Sequence, residues 1–256
     1  DGAQVAHNAT HFLPAGAKLT IRSAHIGVYG FLRLAGGIAT YPVMGSRAAH
    51  LTAGIGARLQ AGDTLPLGED TDRMHAPQKL PTDDRFAGGT VRIMSGPQTD
   101  FFDQRTQEAF CTTLFRRSPS GNRQGIKLEH DGGSFSPAGG LTHVSDLIVP
   151  GDIQIAGESV PYVLLAECQT IGGYPRIGSV IPADLPKIAQ AAPGTPLQFK
   201  FLTVAEADAT AQSQKAQLRA LTKMCQPIVR DPHDIADLLR YQLISGATPG
   251  DDLERP

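Results

Sequence analysis

Hydrophobic and polar residues alternate with a period of two in several short stretches of the chain, the pattern of half-buried strands. Leu197, Phe199 and Phe201 show it most regularly, with Gln198 and Lys200 between them. Continuous short apolar runs add further strands. The predicted strands span residues 17–24, 29–35, 89–94, 125–128, 153–155, 162–166 and 197–204. The pattern therefore indicates a mostly β protein.

Helical spacing of apolar residues is confined to a few segments. We predict helices at 99–111, with Thr99 or Asp100 as N-cap, and at 183–192, 205–225 and 235–244. The stretch 69–85 is charged and broken by proline, which is typical of an exposed linker. The predicted organisation is a first β lobe over 1–85, a second β lobe over 86–205 and a helical tail over 206–256.

Composition narrows the class of protein. The 28 glycines and 19 prolines favour many strands joined by turns over long helices. The net charge is −2 and no basic stripe is present. We therefore expect neither nucleic acid nor a membrane surface as a partner. No run of 18 apolar residues and no signal peptide is visible. Three widely separated cysteines without zinc spacing predict reduced thiols, no metal site and a cytoplasmic location.

Three glycine-containing segments follow one another in a specific order. They are FLRLAGGIATYPVMGSRAAHLTAGIG at Phe31–Gly56, SGNRQGIKL at Ser120–Leu128, and LLAECQTIGGYPRIGSVI at Leu164–Ile181. Together they resemble the family of the 5-oxoprolinase C subunit, also called allophanate hydrolase subunit 2 or biotin-dependent carboxyltransferase. The resemblance covers roughly residues 1–205, and the first lobe is expected to lack the family's N-terminal segment. Cys168 stands where the family has a basic residue, and Arg176 stands where the family has a lysine.

The resemblance implies a cyclophilin-like antiparallel β-barrel architecture with a few short helices. It also implies a paralogous B subunit and an A-type subunit, with which the chain hydrolyses 5-oxoproline (pyroglutamate) to L-glutamate using ATP bound at the level of the complex. Two alternatives stay open. One is transfer of a carboxyl group from carboxybiotin to urea or a related amide, with biotin supplied in trans. The other is a non-catalytic regulatory partner of the B subunit.

The QT-GGYP box supplies the main candidate site residues. Gln169 and Thr170 follow a predicted buried strand, and Gly172 and Gly173 allow a ligand to approach the backbone closely. The Gln169 amide donates and accepts hydrogen bonds, which suits an amide substrate. The alternative is a tight turn in which Tyr174 packs into the core.

Two further segments supply candidate substrate-binding residues. Asn122 and Arg123 precede the strand 125–128, and the planar guanidinium of Arg123 suits a carboxylate or a phosphate. A structural salt bridge is the alternative for Arg123. Arg47, after the GGI turn, is a candidate for an anion contact or an interface. The sequence assigns no catalytic residue, and it has no GxxxxGK[ST] loop that would place ATP on this chain.

Overall fold

The computed structural model describes residues 4–71, 76–82, 84–140 and 145–228. The strands are β1 Gln78–Lys79, β2 Gly89–Met94, β3 Phe115–Gly121, β4 Gly125–Glu129, β5 Asp146–Leu147, β6 Asp152–Ala156, β7 Val160–Leu164, β8 Ile171–Gly172, β9 Arg176–Val180, β10 Pro196–Phe201 and β11 Gln226–Pro227. The α-helices are α1 Gln104–Thr112, α2 Leu185–Gln190 and α3 Val204–Met224, and 3-10 turns lie at Leu51–Ala53, Thr99–Phe101 and Gly157–Ser159.

A closed barrel forms the centre of the described structure. Its strands hydrogen-bond in the order β10, β2, β9, β6, β7, β4 and β3, and closure removes exposed sheet edges. The predicted mostly β, cyclophilin-like barrel is confirmed. Neighbouring strands are antiparallel except β2 and β10, which are parallel. The parallel pair arises because α2 and its loops carry the chain from β9 past β2, so that β10 pairs with the far edge of β2.

Alternate residues of the barrel strands fill its interior, as their period of two predicts. Val91 and Ile93 of β2 and Leu197 of β10 are fully buried, and Phe199 is almost so. The strand predicted at 197–204 is confirmed but ends at Phe201. The last residue of the predicted strand, Val204, is instead the first residue of α3. The hydrophobic residues of these strands therefore set which face of each strand points inward.

Helix α1 closes one side of the core with an aromatic cluster. The Phe110 ring lies 4.8 Å from Phe115, 5.2 Å from Phe135 and 5.0 Å from Phe199, measured between ring centroids. The helix predicted at 99–111 is a 3-10 turn followed by α1. The predicted N-cap, Thr99 or Asp100, is wrong for α1, because Asp103 accepts the capping hydrogen bond from the backbone N–H of Thr106.

The segment 4–71 is irregular, and its residues form isolated bridges and one 3-10 turn in place of a sheet. The strands predicted at 17–24 and 29–35 are therefore wrong. The alternating residues Leu19 and Ile21 are 39% and 71% exposed, because no neighbouring strand pairs with them among the described residues. Gln190 of α2 holds the segment to the barrel domain, accepting from the Tyr29 N–H at 2.9 Å and donating to its carbonyl at 2.9 Å.

The tail begins with the long helix α3. Thr203 and Glu206 form a reciprocal capping box, and the helix runs to Met224, which confirms the helix predicted at 205–225. After α3, β11 pairs with β1 of the predicted linker. The helix predicted at 235–244 lies outside the described residues. Among the described helices, none combines the length and apolar character that crossing a membrane demands.

Asp184 links β2 to the start of α2. The side chain is fully buried and binds Arg92 through three hydrogen bonds of 2.7–2.8 Å, from the backbone N–H, Nε and Nη2. Burial alone raises the pKa of Asp184. The hydrogen bonds from Arg92 and the charge of Lys187 outweigh it, so the pKa lies below its ordinary value.

Asp184→Ala is expected to lower the free energy of unfolding by about 3 kcal/mol, because it leaves the Arg92 guanidinium without its carboxylate. A lowered pKa stabilises the fold above the ordinary Asp pKa of about 3.9, and that contribution is lost as the pH falls through the lower, folded-state pKa. Urea denaturation at several pH values should therefore show the wild-type advantage shrinking in acid. Asp131→Ala, on an exposed side chain, is the control. Equal midpoints for wild type and Asp184→Ala at neutral pH would contradict the assignment.

Candidate functional site

The loop after β7 lies against the β3–β4 hairpin, which brings two of the sequence motifs together. The N–H of Leu165 donates to the Gln124 carbonyl at 2.9 Å, and the N–H of Glu167 donates to the Arg123 carbonyl at 2.9 Å. The Nη2 atom of Arg123 also lies 3.0 Å from Oε1 of Glu167. The NR-GI hairpin and the ECQT segment thus form one continuous surface at this end of the barrel.

Two of the candidate residues on the hairpin already have partners. Half of the Arg123 side chain is exposed, and the charge of the guanidinium is balanced by Glu167. Asn122 Oδ1 accepts hydrogen bonds from the N–H groups of Gln124 at 2.8 Å and Gly125 at 3.4 Å. This geometry is an Asx turn that shapes the hairpin. Among the described residues, no hydrogen bond is formed by the side-chain amide nitrogen of Asn122, which leaves this donor available to a ligand.

The QT-GGYP loop presents polar side chains to solvent. Gln169 and Thr170 are exposed, and Tyr174 is 48% exposed, so its ring is not a core residue. The loop is fixed at its middle, where β8 pairs with β5 and the Ile148 N–H donates to the Thr170 carbonyl at 3.1 Å. An exposed amide and hydroxyl on a loop whose backbone is held in this way are well placed to bind a small polar ligand.

Gly172 and Gly173 are half-buried on this loop. At Gly172 the loop passes close to β6, since an added Cβ atom would lie 2.5 Å from Nε2 of Gln154 and would displace that side chain. The Gln154 side chain is buried, and its Nε2 has no hydrogen-bond partner among the described residues. The glycine therefore lets the loop pass directly over a free amide donor on β6.

Beneath the loop, the buried side chain of Arg176 is held on all sides. Oε1 of Gln98 accepts from the backbone N–H of Arg176 at 3.0 Å and from its Nε at 3.3 Å. Nη1 donates to Asp152 at 3.1 Å and to the Leu147 carbonyl at 2.5 Å, and Nη2 binds Asp146. Arg176 thereby ties the barrel, the β5 segment and the QT-GGYP loop into one unit.

Asp152 is the buried carboxylate of this network, with a side chain 4% exposed. Besides Arg176, it accepts from the Val149 N–H at 3.0 Å and from the Ser179 hydroxyl. Burial raises the pKa of the Cys168 thiol, and the nearby charge of Asp152 raises it further. Cys168 therefore stays protonated near neutral pH and is not poised as a thiolate nucleophile.

Arg47 lies in the segment 4–71, where its Nε donates to the Thr40 carbonyl at 2.6 Å. Within the described part of the chain, no hydrogen bond or ion pair joins it to the hairpin or the QT-GGYP loop. The structure therefore unites Asn122, Arg123 and the ECQT segment and leaves Arg47 apart. Across the described ranges, no group of three or more His, Cys, Asp and Glu side chains is placed to hold a metal ion.

Sequence reasoning missed the residues that support the site. Gln98, Asp146, Asp152 and Gln154 are distant in sequence from the QT-GGYP box, and nothing in their spacing links them to it. One signal was available: Arg176 follows the box directly and lies in a strand of buried residues. A charged residue in such a strand requires carboxylate partners. Asp152 begins β6, the buried strand that pairs with β9, and Asp146 lies shortly before it in β5.

The chain matches known proteins along most of its length. It is 33% identical over 214 residues to the 5-oxoprolinase C subunit of Escherichia coli (strain K12), covering 82% of this chain and 67% of that protein. The crystal structure of TTHA0988 matches with a TM-score of 0.60 and 32% identity, covering 70% of this chain and 35% of that one. The crystal structure of Kluyveromyces lactis urea carboxylase matches in fold, with a TM-score of 0.61 and 21% identity over 78% of this chain and 21% of that one.

These matches agree with one family. The chain spans about two thirds of the Escherichia coli protein and about one third of TTHA0988. The profile of the family described as "Carboxyltransferase domain, subdomain A and B" matches residues 1–201, which include the NR-GI hairpin and the QT-GGYP loop. The chain therefore belongs to the carboxyltransferase domain family, subdomains A and B.

Proposed function

We propose that this chain is a subunit of an ATP-dependent 5-oxoprolinase that hydrolyses 5-oxoproline to L-glutamate in the cytoplasm. The observation that carries the proposal is the surface formed by the NR-GI hairpin and the QT-GGYP loop, on which Gln169 and Thr170 stand exposed. The 33% identity to a protein named as the C subunit of 5-oxoprolinase supports the choice of substrate.

The chemistry of the surface suits a cyclic amide. A lactam presents one N–H and one C=O side by side, and the Gln169 side chain offers one acceptor and one donor in matching order. Hydrolysis adds water to the lactam carbonyl and breaks the C–N bond, and the released nitrogen takes up protons as the ammonium group of glutamate. In the ATP-dependent reaction, ATP transfers its γ-phosphoryl group to the amide oxygen and leaves as ADP. One water then adds to the activated carbon and the C–N bond breaks, and a second water hydrolyses the resulting acyl phosphate to the carboxylate and inorganic phosphate, which makes the ring opening favourable.

The other subunits are proposed to be a paralogous B subunit and an A-type subunit. Support comes from the segment 4–71, where Phe31, Tyr41 and Met44 are 94%, 88% and 91% exposed. Several large apolar side chains exposed within one segment favour a surface that binds another protein. ATP is proposed to bind at the level of the complex.

The chain alone is expected to release no glutamate from 5-oxoproline and ATP. Its candidate site has no thiolate and, among the described residues, no metal-binding cluster, so the groups that activate water and ATP must come from the partners. The measurement is glutamate release by the purified chain and by the complex co-purified with the products of the neighbouring genes. Equal rates for the two samples would contradict the proposal.

A second candidate is carboxyl transfer from carboxybiotin to urea or a related amide, with biotin carried by another protein. The description of the matching family favours it. The same complex should therefore be offered urea with a carboxylated biotin carrier. Carboxylation of urea together with no glutamate from 5-oxoproline would replace the proposed function with this one. Neither activity, with binding to the B subunit retained, would indicate a regulatory partner.

A further inference from the structure

Arg117 occupies a buried position of β3. The neighbouring buried positions on the same face carry hydrophobic side chains. It lies two residues after Phe115, on the same face of the strand, and directly opposite Leu128 of β4. Phe115 is fully buried, Leu128 is 1% exposed and Arg117 itself is 4% exposed. Its backbone is fixed on both sides, donating to the Thr195 carbonyl at 3.2 Å and accepting from the Gly194 N–H at 2.7 Å.

The guanidinium of Arg117 has no counter-charge among the described residues. Its Nε is buried without a hydrogen-bond partner, and no carboxylate of the described chain forms an ion pair with it. The two other arginines that pack against the barrel strands are different, because Arg92 binds Asp184 and Arg176 binds Asp146 and Asp152. A guanidinium stays charged at any ordinary pH, so burial without an anion is strongly unfavourable.

The unpaired group lies beside the candidate site. Nη2 of Arg117 is 3.5 Å from the position that a Cβ atom on Gly121 would take. Gly121 ends β3 and leads directly into the NR-GI hairpin, so the guanidinium lies at the start of that hairpin. Arg123, the arginine of the motif itself, is already neutralised by Glu167 at 3.0 Å. The hairpin therefore carries one balanced arginine and one that lacks an anion.

We propose that Arg117 binds an oxyanion whose two oxygens face the planar guanidinium, and that this anion is the carboxylate of the substrate. The planar fork of arginine matches a carboxylate or a phosphate with two parallel hydrogen bonds. The choice of a carboxylate rests on the proposed function, since 5-oxoproline carries one next to its lactam ring. A phosphate is the other source of the same chemistry, and the test separates the two.

The test measures the melting temperature of the full chain in low-chloride buffer with 5-oxoproline, with inorganic phosphate and with 2-pyrrolidinone, the neutral lactam without a carboxylate. An anion at ten times its dissociation constant stabilises the native state about elevenfold, a rise of about 3–6 °C. We expect this rise with 5-oxoproline and none with 2-pyrrolidinone. If phosphate alone raises the melting temperature, the oxyanion site stands, and its ligand is a phosphoryl group.

Arg117→Met is expected to abolish the rise and to melt no lower than wild type in anion-free buffer, because it removes an unpaired buried charge. Arg116→Met is the matched control, since Arg116 is the exposed neighbour on the same strand and should keep the full rise. The proposal is overturned if neither anion raises the wild-type melting temperature, or if 2-pyrrolidinone raises it equally. It is also overturned if Arg117→Met keeps the rise. The melting-temperature measurements do not depend on catalytic turnover. Their outcome therefore tests the oxyanion site separately from the glutamate assay.

Discussion

Arg176→Ala is expected to lower the free energy of unfolding by about 3–5 kcal/mol, because it leaves Asp152 buried without its cation. The same change releases Gln98, Asp146 and the Leu147 carbonyl, which join the β5 segment and the QT-GGYP loop to the barrel. Urea denaturation followed by circular dichroism measures the loss. Arg176→Lys should recover only part of the stability, since a single ammonium cannot reach all the acceptors of the guanidinium fork.

Arg116→Ala is the matched control for Arg176→Ala. Its side chain is half exposed and lies 3.5 Å from an almost fully exposed Asp131, a geometry that contributes little to stability. The midpoint of Arg116→Ala is therefore expected to equal that of wild type. If Arg176→Ala also unfolds at the wild-type midpoint, the buried network does not hold the loop and the candidate site loses its structural basis.

Gln169→Ala is expected to reduce turnover of the complex by about tenfold to hundredfold, the loss expected when a site without water loses a paired hydrogen bond of about 1–3 kcal/mol. The melting temperature should stay at the wild-type value, because Gln169 is exposed and its side chain forms no hydrogen bond with the described residues. Turnover is measured as glutamate release from 5-oxoproline and ATP, and the melting temperature by differential scanning calorimetry on the same preparations.

Gln104→Ala provides the control for this experiment. Gln104 is an exposed glutamine at the start of α1, where it binds Glu108, and it should leave both turnover and melting temperature unchanged. Tyr174→Phe should lose less activity than Gln169→Ala, since the half-exposed ring keeps its packing. Unaltered turnover with Gln169→Ala, or a large fall in its melting temperature, would make the loop a structural element.

Strands β2 and β10 were predictable because each has a buried and an exposed face. In β2 and β10 the alternating residues Val91, Ile93, Leu197 and Phe199 fill the core, and the predicted strands at these places are confirmed. The same alternation at residues 17–24 gave a wrong prediction. A strand also needs a neighbour to pair with, and a pattern within one segment does not reveal whether that neighbour exists.

The sequence motifs identified the loops of the site. They did not identify the residues that hold those loops in place. Gln169 and Thr170 stood out through the QT-GGYP box, and the structure places Glu167, two residues before this box, against Arg123. The polar network under it joins residues from β5, β6 and β9 that only the closed barrel brings together. The unusual position of Arg117 was visible in the sequence, because it is a charged residue two positions after Phe115 and therefore on the same, buried face of β3.

The proposed function makes this chain a required subunit of an enzyme that opens the ring of 5-oxoproline. The most direct test measures ATP-dependent glutamate release by the purified partner subunits with this chain added and with it omitted. Glutamate is expected only when the chain is present, and at a strongly reduced rate when the Gln169→Ala variant replaces it. Glutamate release at the full rate without this chain would contradict the claim.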